Sequence, residues 1–276
     1  MKTKTGNIKS RQKQRKRKQQ HHIIFLSIFL GISALFYFLV QELKSEEFFE
    51  DNSISINKTD LSKETEINNI NKGTEGYKIP VILQNPQLPS GCESAAAVML
   101  LNAYGFLVDK EEFANALPLC KLEWHNGKMY ACHPSKAFVG SPYSGGYGVF
   151  SDAVVETMQE FIDQSGGDIL AKNITGASKE EILEYLNHGI PVCIWITMDL
   201  KEISHKNGWY LKYGTTYTDE YFEWPGGEHC VLLTGYEKDT VIVNDPLKGK
   251  TKYDCNTFFQ RYKDMGSQAV ILAGNL

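Results

Sequence analysis

Residues 88–105, LPSGCESAAAVMLLNAYG, decide the fold, because one cysteine precedes a run of helix-forming apolar residues. Pro89 keeps the preceding chain out of a helix. We predict a helix with Ser90 as its N-cap and Glu93 completing a capping box, which places Cys92 in the first turn. Free amides and the positive end of the helix dipole favour a thiolate there. The stretch therefore predicts a nucleophilic cysteine at the start of a buried helix.

A lone cysteine is more often a small buried apolar residue than a nucleophile, so this interpretation needs a base. Residues 226–249, GGEHCVLLTGYEKDTVIVNDPLKG, predict two antiparallel strands joined by a turn at 237–239. His229 opens the first strand and Asp245 closes the second, so pairing about residue 237 brings the two side chains together. The imidazole can accept the thiol proton of Cys92, and the carboxylate can orient the ring.

An acyl-transfer site also needs a donor for the developing oxyanion, and an uncharged amide leaves a thiolate–imidazolium pair undisturbed. Gln84 and Gln87 both precede the cysteine. The residues alone leave open which of the two is this donor.

Two stretches rich in glycine and aromatic residues are candidate walls of a substrate groove. Residues 138–150 contain Gly145 and Gly146, which allow a close backbone approach, although a purely structural turn is an equal alternative. Residues 208–229 contain Trp224 and Gly227 and run directly into the predicted base. Acidic residues in this second stretch suit a basic substrate, or they form a solvated face. They are Asp219, Glu220, Glu223 and Glu228.

Four strings resemble the peptidase C-39-like family of the papain-like cysteine peptidase superfamily, which is related to the leader-cleaving peptidase domains of bacteriocin exporters. They are IPVILQNPQLPSGCESAAAVMLLNAYG, AFVGSPYSGGYGVF, LNHGIPVCIWITM and GGEHCVLLTGYEKDTVIVNDPLKG. The resemblance covers residues 78–275. Glu93 departs from it, because leader peptidases usually have glycine after the cysteine. The resemblance implies a catalytic set of Cys92, His229, Asp245 and Gln84.

We expect an α+β fold of the papain-like type, in which the nucleophile helix packs on an antiparallel sheet with a cleft between them. Residues 151–166 predict an amphipathic helix, which is typical of core packing. Residues 178–189 predict a second helix, with Ser178 and Glu181 as a capping box. This helix leads into a buried strand, IPVCIWITM, at 190–198.

The N-terminal region predicts a membrane anchor. Residues 1–22 carry nine Lys and Arg residues and no acid, and residues 23–40 are uncharged and apolar over eighteen positions. This length nearly spans a bilayer, and the positive-inside rule leaves the N-terminus in the cytoplasm. An uncleaved anchor is favoured over a cleaved signal, and nucleic-acid binding is not expected. We predict a basic cytoplasmic tail at 1–22, a transmembrane helix at 23–40, a flexible linker at 41–77 and an extracellular catalytic domain at 78–276.

Six cysteines occur in the chain, and their spacing does not form a dense disulfide framework. Cys120 and Cys132, in an irregular stretch, are the best candidates for a disulfide. Nearby His125 and His133 make zinc conceivable, but the spacing matches no standard zinc pattern, so no metal or cofactor is predicted.

These features together predict a membrane-anchored extracellular cysteine peptidase, acting as a monomer on a peptide or protein through a thioester acyl-enzyme. Two alternatives stay open at this point. The same site could serve a cell-wall peptide amidase or transpeptidase, or the fold could be a non-catalytic peptide-binding module.

Overall fold

A computed structural model of the chain describes residues 78–205 and 207–274. The predicted cytoplasmic tail at 1–22, transmembrane helix at 23–40 and linker at 41–77 lie outside these ranges. Within them, every helix is too short or too polar to cross a bilayer.

The described part of the chain contains five α-helices, and three of them begin at a capping side chain, which is Asp109, Ser178 or Asp254. The amphipathic helix expected from residue 151 is present, with one face buried, which confirms the prediction. The predicted capping box of Ser178 and Glu181 is also confirmed, because both of its reciprocal hydrogen bonds are formed. In chain order the helices are α1 (Cys92–Ala103), α2 (Lys110–Ala116), α3 (Ser151–Gln164), α4 (Lys179–Asn187) and α5 (Cys255–Asp264).

The start of α1 differs from the prediction. Its N-cap is Gly91, which makes Cys92 the first helical residue, and no side chain caps the helix. Ser90 Oγ instead accepts a hydrogen bond of 3.2 Å from the Gly146 amide. Glu93 Oε1 accepts one of 2.8 Å from the amide that follows Gly148. The predicted capping box at Ser90 is therefore wrong, because Gly91 is the N-cap and both side chains bond a distant loop.

Fourteen strands are described, and six of them form the central sheet, which is antiparallel throughout. Its spatial order is β13-β12-β11-β6-β14-β5. A smaller sheet has the order β2-β3-β8-β9 and contains one parallel pair, β3 with β8. The strands are β1 (Leu119–Cys120), β2 (Glu123–His125), β3 (Lys128–Ala131), β4 (Phe138–Val139), β5 (Leu170–Asn173), β6 (Val192–Thr197), β7 (Ser204–His205), β8 (Trp209–Tyr213), β9 (Thr216–Phe222), β10 (Pro225–Gly226), β11 (Glu228–Glu237), β12 (Thr240–Asp245), β13 (Gly249–Asp254) and β14 (Ala269–Ala273).

Helices cover both faces of the central sheet, which explains why its inner strands are apolar on both sides. On one face α1 and α3 pack against Trp195, Cys230 and Leu232. On the other face α4 and α5 pack against Ile194 and Val231 and their neighbours. The alternation along β6 and β11 follows the two-residue period of a strand. The expected α+β arrangement, with α1 packed on an antiparallel sheet, is what the structure shows.

The hairpin of β11 and β12 has a different register from the predicted one. The strands pair Glu237 with Thr240 and Leu232 with Asn244, and a bulge lies between Leu233 and Gly235. The centre of the hairpin therefore lies near residue 238 rather than 237. His229 lies beyond the last pair, Leu232 with Asn244, and its Nε2 still reaches Asp245 Oδ1 at 2.8 Å.

Candidate functional site

A cavity of about 350 Å³ opens where the start of α1 meets the start of β11. It brings together side chains that are far apart in sequence, because α1 packs on the same sheet that carries β11. Six predicted site residues line it and a seventh, Asp245, lies behind it, whereas Gly145 is not among the described lining residues. The lining residues are Gln84, Pro89, Ser90, Cys92, Gly146, Tyr147, Met198, Trp224, Gly227, Glu228, His229 and Leu247.

The Cys92 thiol is 6% exposed and donates a hydrogen bond of 3.3 Å to Glu93 Oε2. Burial raises the pKa of Cys92 well above its usual range, and the nearby Glu228 and Glu93 carboxylates raise it further. The Cys230 backbone amide, next to His229 in β11, acts in the opposite direction but does not outweigh them. The expected stabilisation of a thiolate by the helix start is therefore overridden, and the cysteine rests as a thiol.

His229, which lines the cavity, and Asp245, which lies behind it, form a buried pair. His229 Nε2 lies 2.8 Å from Asp245 Oδ1, and the two side chains are 2% and 1% exposed. Burial raises the pKa of Asp245, but the hydrogen bond and charge of His229, with further donors, lower it to about 2. An ionised carboxylate only accepts hydrogen bonds, so Nε2 carries the ring proton and Nδ1 is left to receive another.

The Asp245 carboxylate is held by two donors besides His229. The Leu247 backbone amide donates to Oδ1 at 2.8 Å, and the Tyr253 hydroxyl donates to Oδ2 at 2.9 Å. Burial raises the pKa of Tyr253 to about 12, so the hydroxyl keeps its proton as a donor. Sequence reasoning missed Tyr253, although its position in the strand after the predicted hairpin could have indicated it.

Gln84, and not Gln87, lies beside the cysteine. Gln84 is 3% exposed and lines the cavity, whereas Gln87 is exposed and accepts a hydrogen bond of 2.9 Å from Lys110. Gln84 Nε2 donates to the carbonyls of Leu88 and Pro89 at 3.1 and 3.0 Å. Both amide protons are therefore engaged with the backbone turn before α1, and one must be released to serve an oxyanion.

The candidate substrate-binding residues have different surroundings. Gly146 has no room for a side chain, since an added Cβ would lie 2.8 Å from the Ser141 carbonyl oxygen, whereas a Cβ on Gly145 would meet open space. Gly227 has a φ of +88°, a conformation that favours glycine. Trp224 is 3% exposed and stacks on Phe150 at 5.6 Å, so most of its ring belongs to the core.

Two buried carboxylates next to the nucleophile were missed as site residues. Glu93 was interpreted as a capping residue and Glu228 as part of an acidic surface. Glu93 is fully buried and Glu228 is 8% exposed, and one oxygen of each lies within 4.8 Å of Cys92 Sγ and of the other. Burial raises the pKa of Glu93 to about 7 and that of Glu228 well above its usual range, the latter with a contribution from Glu93. The sequence could have indicated both residues, because Glu93 directly follows Cys92 and Glu228 directly precedes His229.

Cys120 and Cys132 lie together but are not bonded, so the expected disulfide is absent from this structure, in which both are free thiols. The Cys132 amide donates to Cys120 Sγ at 2.9 Å. A hydrogen bond with the Cys132 thiol is the main cause that lowers the pKa of Cys120 to about 6. The two cysteines therefore form a hydrogen-bonded pair without a covalent link.

Comparison with known proteins gives a consistent result. Residues 77–270 match the Peptidase_C39 like family. The uncharacterized protein YvpB of Bacillus subtilis (strain 168) is 30% identical over 200 residues, which are 70% of this chain and 75% of YvpB.

Two solved structures add to this comparison. A Bacillus anthracis protein described as a C39-like peptidase has 28% identity and a TM-score of 0.62, over 72% of this chain and 96% of that one. A double glycine motif protease from an AMS/PCAT transporter, in complex with the leader peptide, has 15% identity and a TM-score of 0.41, over 72% and 94%. Because the family match spans most of the chain and nearly all of its described part, this protein belongs to the Peptidase_C39 like family.

Proposed function

We propose that this chain is a cysteine peptidase, anchored in the cell membrane with its catalytic domain outside the cell. The observation that carries the proposal is the buried His229–Asp245 pair at 2.8 Å, whose histidine lines the same cavity as Cys92. A nucleophile, a base and a group that orients the base are the minimum set for covalent acyl transfer by a thiol. Membership of a peptidase family supports the choice of a peptide bond as the target.

The proposed reaction begins with transfer of the Cys92 thiol proton to Nδ1 of His229. The sulfur electron pair then forms a bond to the substrate carbonyl carbon, and the negative charge moves to the carbonyl oxygen. Gln84 and the Cys92 backbone amide are the candidate donors to that oxygen. The imidazolium protonates the leaving amine as the C–N bond breaks, which leaves a thioester. Water, deprotonated by His229, hydrolyses the thioester and restores the thiol.

Peptide cleavage by the full chain, measured by mass spectrometry on a peptide library, tests the proposal. We expect Cys92→Ala to abolish cleavage. The matched control is Cys255→Ala, because Cys255 is also a buried cysteine at the first position of a helix but belongs to the opposite face of the sheet. Cleavage by Cys92→Ala at the wild-type rate would refute the proposal. Products joined to an added amine nucleophile would instead identify a transpeptidase.

The membrane part of the proposal rests on the basic segment at 1–22 followed by the uncharged segment at 23–40. The charge asymmetry orients such a segment with its N-terminus in the cytoplasm. We expect the full chain to remain in the membrane fraction after an alkaline wash, and the domain from residue 78 to be digested by protease added to intact cells stripped of their wall. Release by the wash, or protection from the protease, would contradict the anchor or its orientation.

A further inference from the structure

Two buried acids lie beside the nucleophile, and the proposed peptidase reaction uses neither of them. Cys92 Sγ and one oxygen each of Glu93 and Glu228 all lie within 4.8 Å of one another, and the distance from Sγ to Glu93 Oε2 is 3.3 Å. The three side chains come from the start of α1 and the start of β11, so the packing of helix on sheet assembles the cluster. A thiol and two carboxylates are a donor set used by zinc and related metals.

The surroundings of Glu228 indicate that its buried carboxyl group needs a proton or a cation. Its side chain is 8% exposed, and Oε1 has no hydrogen-bond partner among the described residues. No lysine or arginine is among the described residues that line the cavity. A buried carboxylate without a hydrogen bond or a cation costs free energy, which a proton or a bound metal removes.

We infer that Cys92, Glu93 and Glu228 form a binding site for a zinc-like divalent ion, which reversibly blocks the nucleophile. The metal displaces the thiol proton, and any proton held by the two carboxyl groups, to solvent. It forms a bond to the sulfur, while one oxygen of each carboxylate completes a three-ligand site. The fourth position faces the cavity and takes water. Binding of the metal is independent of the proposed peptidase reaction, and only the inhibition rests on it.

The dimensions of the cluster suit zinc. Zn–S and Zn–O bonds of about 2.3 and 2.0–2.2 Å in a tetrahedron separate the ligand atoms by roughly 3.3–3.6 Å. The Sγ–Oε2 distance is already 3.3 Å, and the other separations need to close by at most about 1.5 Å, which side-chain rotation can provide. The cavity supplies a route for the ion, because Cys92 and Glu228 both line it. Magnesium and calcium, which prefer six or more oxygen ligands, suit the site poorly.

Protection of Cys92 from iodoacetamide by Zn²⁺ tests the site on the full chain. Mass spectrometry of the peptide that contains Cys92 follows this thiol separately from the other five cysteines. We expect Zn²⁺ to slow Cys92 alkylation at least about tenfold, a chelator to restore it, and Mg²⁺ to have no effect. Glu228→Gln should raise the Zn²⁺ concentration for half-protection about tenfold or more. Glu220→Gln, an exposed acid of the same region, should leave it unchanged.

Cobalt binding gives a second measurement that does not depend on the glutamine variant folding well. We expect Co²⁺ to produce a sulfur-to-cobalt charge-transfer absorption in the wild-type chain. In Cys92→Ser this absorption should be weaker by the contribution of one thiolate. Unchanged absorption in Cys92→Ser, no zinc protection of Cys92, or equal protection in a folded Glu228→Gln chain would each overturn the inference. A chain that binds zinc but cleaves no peptide would leave the site standing and refute the proposed function alone.

Discussion

Replacing Asp245 by asparagine tests the buried pair through the acid dependence of stability. Asp245 accepts hydrogen bonds from His229, Leu247 and Tyr253, and its pKa of about 2 lies below the ordinary value of 3.8. This difference corresponds to about 2.5 kcal/mol of folding free energy at neutral pH. Asparagine keeps the shape and can still accept two of the hydrogen bonds, but it loses the charge.

The direction of the effect follows from the lowered pKa in the folded state. The stabilisation is complete above about pH 5, where the unfolded chain is also ionised, and it is lost as the pH falls through the folded-state pKa. Between pH 6 and pH 3 the wild-type chain should lose about 1 kcal/mol from this group. Asp245→Asn should not lose it, so the stability difference between the two chains should shrink by that amount.

Urea unfolding at pH 6, 5, 4 and 3, followed by tryptophan fluorescence, measures this difference. All four tryptophans lie in the described domain. Asp239→Asn, at an aspartate that is 79% exposed in the β11–β12 turn, controls for the loss of one surface charge. A wild-type to Asp245→Asn difference that stays constant from pH 6 to pH 3 would refute a strongly lowered pKa and, with it, the assignment of the ring proton to Nε2.

Three further predictions concern the cavity. Gly146→Ala should lower both the melting temperature and the rate of peptide cleavage, because its Cβ would clash with the Ser141 carbonyl. Gly145→Ala should change neither quantity, because a Cβ there meets open space. Equal melting temperatures of the two variants would contradict the predicted clash. Gln84→Ala should lower kcat by about 10²-fold or more and Gln87→Ala much less, as expected for loss of one oxyanion donor. The reverse order in steady-state kinetics would move the donor to Gln87. Tyr253→Phe should raise the pKa of Asp245, detected by carboxyl NMR, because it removes one donor; an unchanged value would show that this bond is unimportant.

Local sequence rules determined much of the fold. The capping box at Ser178 predicted α4, and the amphipathic period from residue 151 predicted α3, because these signals act between residues at most four apart. The family of the chain was also apparent from its sequence strings. The choice of Cys92, His229 and Asp245 came from their places at element ends, and the structure places them around one cavity and its wall.

Other features of the site depend on contacts that local patterns do not encode. S-x-x-E at 90–93 has the form of a capping box, yet Glu93 bonds the amide of Val149, 56 residues away. Gln84 and Gln87 are alike in sequence, and only the turn before α1 buries one and exposes the other.

The same distinction explains the ionisation of the nucleophile. A helix start by itself favours a thiolate, and this much follows from the sequence around Cys92. The packing of α1 on β11 adds burial and brings Glu228 against the sulfur, across more than 130 residues of chain. Desolvation and like charge act through space over a few ångströms, so they depend on the neighbours that tertiary packing supplies. The sequence by itself determined which residues could do chemistry, whereas the tertiary structure decided that the thiol rests protonated between two buried acids.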